Sequence, residues 1–144
     1  MAIQLTVRNL QKNIPINPSL IKQKITRILC HEHILDAELS VVFLTDQRIR
    51  TLNKKYLNHD FATDVITFDL SSGIKKKRRT CLEGEIFVSG ETAHRNAKKY
   101  NVTDSQELLL YVVHGILHLL GYKDKTASDK EKMRAKEQEI LGIL

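Results

Sequence analysis

Apolar and polar residues alternate at the start of the chain and shift to a helical period soon after. Ile3, Leu5 and Val7 are apolar while Gln4 and Thr6 are polar, the two-residue period of a half-buried strand. Pro15 and Pro18 mark a loop, Ser19 is placed to cap a helix, and Ile21, Ile25, Ile28 and Leu29 then recur at helical spacing. Residues 39–44 (LSVVFL) form a β-branched run that predicts a strand buried on both faces. Residues 46–56 predict a helix with Asp46 as N-cap and Ile49, Leu52 and Tyr56 on one face. Residues 64–70 and 85–89 predict two further strands, joined as a long-looped hairpin. Residues 91–99 predict a polar helix that buries Ala93 and Ala97. Thr103 with Gln106, and Ser128 with Glu131, have capping-box spacing for two more helices, the last with Met133, Ile140 and Leu144 on one face. The order is strand, helix, strand, helix, strand, strand and three helices. It predicts an α+β fold: a small four-stranded mixed sheet covered by helices, in one domain over residues 1–144.

The helix expected after Thr103 breaks the ordinary pattern. Leu108 to Leu120 reads LLLYVVHGILHLL and is almost entirely aliphatic. Glu107, Tyr111, His114 and His118 fall at i, i+4, i+7 and i+11, so they share one face of a helix that is apolar elsewhere and therefore buried. Two imidazoles one turn apart are either hydrogen-bonded core histidines or two ligands of one metal ion. The apolar surroundings favour the second reading, because buried imidazoles need partners. Gly121 is placed to end the helix, and Asp124 follows where the chain can fold back. His114, His118 and Asp124 then form a three-ligand metal set with room for water or substrate, carried by a buried helix. Gly115 costs helix stability, and its missing side chain would let a substrate backbone approach.

Composition narrows the partners. The 144 residues carry 23 Lys plus Arg against 17 Asp plus Glu, a formal charge of +6, which favours acidic partners and nucleic acid above all. Lys75, Lys76, Lys77, Arg78 and Arg79 are consecutive: a solvated loop, or a sequence-independent contact to RNA phosphates. With four Tyr, four Phe and no Trp, no base-stacking platform is evident. Cys30 and Cys81 lack metal-ligand spacing and read as reduced thiols, Cys30 as a packing residue in its helix. His31 and His33, two apart, face different ways and read as structural. The amino terminus shows no secretory segment and the apolar stretch is too short to span a bilayer, so the expected location is cytoplasmic. A metallopeptidase of the His-Glu-x-x-His type would carry its glutamate where this chain has Gly115.

The segment His114-Gly-Ile-Leu-His118-Leu-Leu-Gly121-Tyr122, followed by Asp124, resembles the signature of the YbeY family of bacterial metal-dependent endoribonucleases. Leu52-Asn53 with Tyr56, Thr63-Asp64-Val65, Gly84-Glu85-Ile86, and Met133, Glu137 and Leu141 are similar to further family elements in the same order. The resemblance implies a single-strand-specific endoribonuclease that matures the 3′ end of small-subunit ribosomal RNA and serves ribosome quality control. It implies one zinc ion, or another divalent transition metal. The implied partners are ribosomal RNA, the small subunit, one of its proteins and a ribosome-associated GTPase. The alternative is a ribosome-assembly binding factor with a structural metal and weak or no catalysis. Two positions differ from the family pattern: Asp124 stands where a histidine is usual, and Leu57 where an arginine is. A carboxylate is a legitimate third zinc ligand and also suits ferrous iron.

Overall fold

The computed structural model describes residues 2–71 and 80–144. Four strands form one mixed sheet: β1 (Ile3–Asn9), β2 (Asp36–Leu44), β3 (Val65–Asp69) and β4 (Cys81–Ser89), in the spatial order β1-β2-β4-β3. β1 runs parallel to β2 and β2 parallel to β4, with Val41 opposite Val7 on one side and Ile86 on the other. β3 returns antiparallel on the edge, with Thr67 opposite Ile86, which makes β3 and β4 the expected hairpin. The helices are α1 (Pro18–His31), α2 (Asp46–Leu57), α3 (Gly90–Lys99), α4 (Asp104–Leu119) and α5 (Ala127–Leu141). The predicted order and the α+β class match this architecture.

Alternation in β2 splits the apolar residues between two layers. Leu39, Val41 and Phe43 join Ile25, Ile28 and Leu29 of α1, Val112, Val113, Ile116 and Leu117 of α4, and Met133 and Ile140 of α5 in the main core. Val42 and Leu44 point the other way, to a smaller cluster with Ile49 of α2 and Ile66 of β3, against which Phe68 and Phe87 pack. A strand between two apolar layers must itself be apolar, which is why residues 39–44 lack alternation.

The helix starts differ in register from their sequence signals. Asn17, not Ser19, caps α1 by accepting from the Leu20 amide, with Pro18 opening the helix. Thr45, not Asp46, caps α2 through the Arg48 amide. The Asp46 carboxylate is taken by the hydroxyls of Ser89 (2.6 Å) and Thr92 (2.7 Å) and by Arg95 (2.7 Å), which tie α2 to α3. Thr126 with Asp129, not Ser128 with Glu131, forms the capping box of α5. At α5 two overlapping four-residue Ser/Thr-x-x-acid patterns satisfy one rule in two registers, and the chain uses the earlier one. Strand β4 also starts before residue 85, because pairing with β2 carries it through Gly84. Among the described residues, no helix is long and apolar enough to cross a membrane.

Candidate metal centre

The capping box of α4 forms as its spacing predicts: the Gln106 amide donates to Thr103 Oγ1 (3.1 Å) and Gln106 Oε1 accepts from the Thr103 amide (2.9 Å). The apolar faces of α4 are buried in the main core, which leaves one polar stripe. Its first half is satisfied within the protein. The Tyr111 hydroxyl accepts from Asn96 Nδ2 at 2.7 Å and is hydrogen-bonded to Glu107, and both Tyr111 and Glu107 are buried. Burial pushes the phenol far above its ordinary range, and the neighbouring Glu107 adds to this. Glu107 is thus committed to Tyr111, two turns from the histidines.

The second half of the stripe faces a cleft. His114 and His118 turn their Nε2 atoms toward each other at 2.9 Å. The helix ends just beyond. The Tyr122 amide donates to the Leu117 carbonyl (3.0 Å) and the Gly121 amide to that of His118 (3.0 Å), a Schellman end. Gly121 has φ +102°, a conformation that disfavours any side chain. That reversal brings Asp124 back, so its Oδ2 lies 3.5 Å from His114 Nε2 and 3.3 Å from His118 Nε2. The Asp124 side chain is 46% exposed, which leaves this side of the centre open.

The donor set fits an ion on geometric grounds. Ligand atoms about 2.0–2.1 Å from a tetrahedral zinc lie roughly 3.3 Å from one another. The three separations here are 2.9, 3.3 and 3.5 Å. Two neutral imidazoles and one carboxylate are also the right chemistry for a divalent transition metal with a free position.

Glu137 of α5 is the site residue that helical spacing did not reveal. Its Oε2 lies 2.8 Å from His114 Nδ1, and its side chain is only 12% exposed. A carboxylate accepts, so Nδ1 carries a proton, and in the neutral form of the ring the Nε2 lone pair is aimed at the centre. Burial disfavours the His114 imidazolium. The hydrogen bond and charge of Glu137, with the charges of Asp64 and Asp124, outweigh it and raise the His114 pKa above the usual histidine value. A metal-ligating histidine generally needs such an acceptor on its other nitrogen, a signal that announces a partner without naming it.

The cleft beside the three side chains is lined by Leu57, Thr63, Asp64 and Thr67. Asp64 Oδ1 accepts from the Val65 amide (2.8 Å) and from the Thr63 hydroxyl (3.3 Å), which holds its charge beside His114. Gly115 has another reason than the one expected. A Cβ there would meet Ile86 Cγ2 at 2.7 Å and Thr67 Cγ2 at 3.1 Å. The glycine lets α4 lie close on the sheet and does not face a substrate.

The other candidate residues with described positions make their contacts elsewhere. Lys75, Lys76, Lys77, Arg78 and Arg79 fall outside the described residues. His31 bonds Glu139 (2.9 Å), and Lys136 spans Glu32 (3.0 Å) and Glu139 (2.7 Å), so that acidic group already has its cation. Cys30 is exposed, against the expected packing role, because residue 30 falls on the solvent side of α1; both cysteines are free.

Comparison with known proteins points to one family. The family model described as endoribonuclease YbeY matches residues 6–144. A protein named endoribonuclease YbeY from Syntrophus aciditrophicus is 33% identical, with 100% of this chain and 91% of that protein covered. One of the same name from Flavobacterium johnsoniae is 40% identical over 83% of this chain and 81% of its own. The solution structure of a Thermotoga maritima protein superposes with a TM-score of 0.62 at 28% identity, covering 96% of this chain and 90% of that one. With the fold, the histidine helix and matches across nearly its whole length in agreement, the chain belongs to the endoribonuclease YbeY family.

Proposed function

We propose that this protein is a zinc-dependent endoribonuclease specific for single strands, which matures the 3′ end of small-subunit ribosomal RNA and serves ribosome quality control. It acts in the cytoplasm as one domain over residues 1–144. Its partners are the small ribosomal subunit, one of that subunit's proteins and a ribosome-associated GTPase. The observation that carries this reading is the spacing of His114 Nε2, His118 Nε2 and Asp124 Oδ2, which matches three corners of a tetrahedral shell. These three side chains hold the ion. Once bound, it supplies Lewis-acid stabilisation of a phosphodiester oxygen and an acidified water.

The residues around the centre have separable tasks. Glu137 keeps the His114 proton on Nδ1 and fixes the ring plane. The half-exposed Asp124 leaves an approach for a phosphodiester from solvent. Leu57 and Thr63 wall the cleft, so no cation meets the phosphate at Leu57. Charge for the RNA backbone comes from other positions in the chain, and we assign part of it to Lys75, Lys76, Lys77, Arg78 and Arg79.

Elemental analysis of the untagged protein and its Asp124→Ala variant tests the reading, beside cleavage of a single-stranded ribosomal RNA 3′ fragment. About one equivalent of zinc is expected in the wild type. Loss of both metal and cleavage is expected in Asp124→Ala and His114→Ala. A wild type that holds the metal and binds the small subunit but does not cleave RNA would favour the assembly-factor reading. Ferrous iron in place of zinc would change the cofactor and leave the ligand set unchanged.

A further inference from the structure

Three large apolar side chains on one six-residue stretch beside the centre are left in solvent. Tyr56 is 56% exposed, Leu57 45% and Phe61 54%. Leu57 also lines the cleft that holds His114, His118 and Asp124. Exposed apolar side chains grouped beside a cleft mark a binding surface more than scattered ones do.

The group is held in place. The Tyr56 ring meets Phe68 edge to face at 5.5 Å and 72°. Phe68 in turn meets Phe87 at 5.8 Å and 75°, so the aromatic ladder stands on the sheet. The loop carrying Phe61 is fastened to α2: the buried Asn53 side chain donates to the Phe61 carbonyl (2.9 Å), and the His59 amide donates to the Asn53 carbonyl (3.2 Å). Arg50 bonds Asp60 at 2.7 Å, and Asn58 takes the left-handed conformation that ends α2 (φ 58°). His59 and Phe61 lie with ring centroids 5.4 Å apart. Fixed aromatic rings forfeit little freedom when a flat ligand stacks on them.

Cations stand beside the rings, and the acid of the stretch, Asp60, is paired with Arg50. Lys55 Nζ lies 5.2 Å from the centre of the Tyr56 ring, and Lys54 and Arg48 are exposed on the same helix. Aromatic faces interleaved with cations bind single-stranded nucleic acid, whose bases stack while its phosphates are neutralised. A duplex offers no free base face. We propose that Tyr56 and Phe61 form a stacking step for an unpaired base of the RNA strand, next to the phosphodiester held at the centre. The inference rests on the endoribonuclease reading and gives it a physical source of single-strand preference.

The chain contains no Trp, so Tyr56→Trp introduces one reporter at this surface. A ten-nucleotide 2′-O-methyl phosphorothioate oligouridylate, which resists cleavage, should quench the emission of the introduced indole in the metal-loaded protein, and the same length of duplex RNA should not. Tyr56→Ala and Phe61→Ala should each weaken oligouridylate binding roughly 5- to 150-fold, the range for one stacked base. Tyr56→Phe should keep the affinity. Phe61→Leu should lose it, whereas a purely apolar protein-docking surface would tolerate leucine. Metal content should stay at the wild-type value in all of these variants, and circular dichroism checks their fold. Oligouridylate that binds all variants alike, with the indole emission unmoved while the wild type still cleaves RNA, would overturn the stacking step and leave the endoribonuclease reading intact. A wild type that neither binds nor cleaves RNA would overturn both.

Discussion

Glu137→Gln is the sharpest perturbation of the centre, because it alters no ligand. The Glu137 carboxylate accepts from His114 Nδ1 at 2.8 Å, on a side chain 12% exposed against one 23% exposed. Carboxylate partners of ligating histidines generally contribute about 10- to 100-fold in metal affinity, or roughly 1.4–2.7 kcal/mol. The amide oxygen of the glutamine can still accept from Nδ1, so this variant gives up charge and keeps orientation; it belongs at the low end, near 10-fold. Glu137→Ala gives up both and belongs near 100-fold. Zinc affinity measured by competition with a chromophoric chelator separates the two variants. A second readout is the His114 ring titration in metal-free protein. Burial opposes the imidazolium and Glu137 is its strongest support, so the His114 pKa must fall in both variants. Zinc affinities within about threefold of wild type, with the fold intact, would refute the idea that Glu137 orients and charges the ligand.

Four further outcomes can be tested. Gly115→Ala should destabilise by about 1–3 kcal/mol in urea unfolding despite alanine's better helix propensity, because the new methyl meets Ile86 Cγ2 at 2.7 Å; an unchanged midpoint would mean α4 can move off the sheet. Asp46 is held below its ordinary pKa: burial acts to raise it, and hydrogen bonds from Ser89, Arg95 and Thr92 outweigh that. A depressed folded pKa contributes stability above the unfolded value of 3.8 and loses it as pH falls through the folded value, so Asp46→Asn should flatten the acid limb of the stability profile below about pH 4. At neutral pH, Asp46→Ala should cost roughly 1–3 kcal/mol by thermal or urea unfolding, since it leaves the hydroxyls of Ser89 and Thr92 without their acceptor. Replacing Lys75, Lys76, Lys77, Arg78 and Arg79 by Ser should reduce the slope of log affinity for single-stranded RNA against log salt by roughly 0.7 for each phosphate no longer neutralised, and an unchanged slope would remove that segment from the interface.

The fold was legible wherever one period dominated. Ile3, Leu5 and Val7 alternate because β1 has solvent on one face, and Leu39 to Leu44 do not because β2 lies between two apolar layers. The helix starts were legible in type and ambiguous in register. Asp46 has the right chemistry for a cap, yet a carboxylate that reaches Ser89, Thr92 and Arg95 gains more there, and Thr45 takes the cap. That competition depends on α3 lying beside α2, which no local window contains.

The centre divides along the same line. His114, His118 and Gly121 belong to one helix and its end, so spacing alone brings them into one neighbourhood, and Asp124 follows through the Schellman turn. Glu137 comes from α5, where charged residues occur on every turn and the apolar pattern is weak. Asp129, Glu131 and Glu139 share that helix, and only the docking of Met133 and Ile140 into the core selects Glu137 as the one that reaches His114. Tyr56 was hidden for the opposite reason. Apolar residues at the end of an amphipathic helix read as core, and Tyr56 shares the helical spacing of Ile49 and Leu52. Ile49 is buried, while the Tyr56 ring rests on Phe68 of the edge strand and stays largely in solvent. The pattern that places a residue on the inner face of a helix does not say how far the core beneath it extends. Local period therefore identifies ligands that share an element. The groups that tune those ligands or meet the substrate are set by where elements dock and where the core stops.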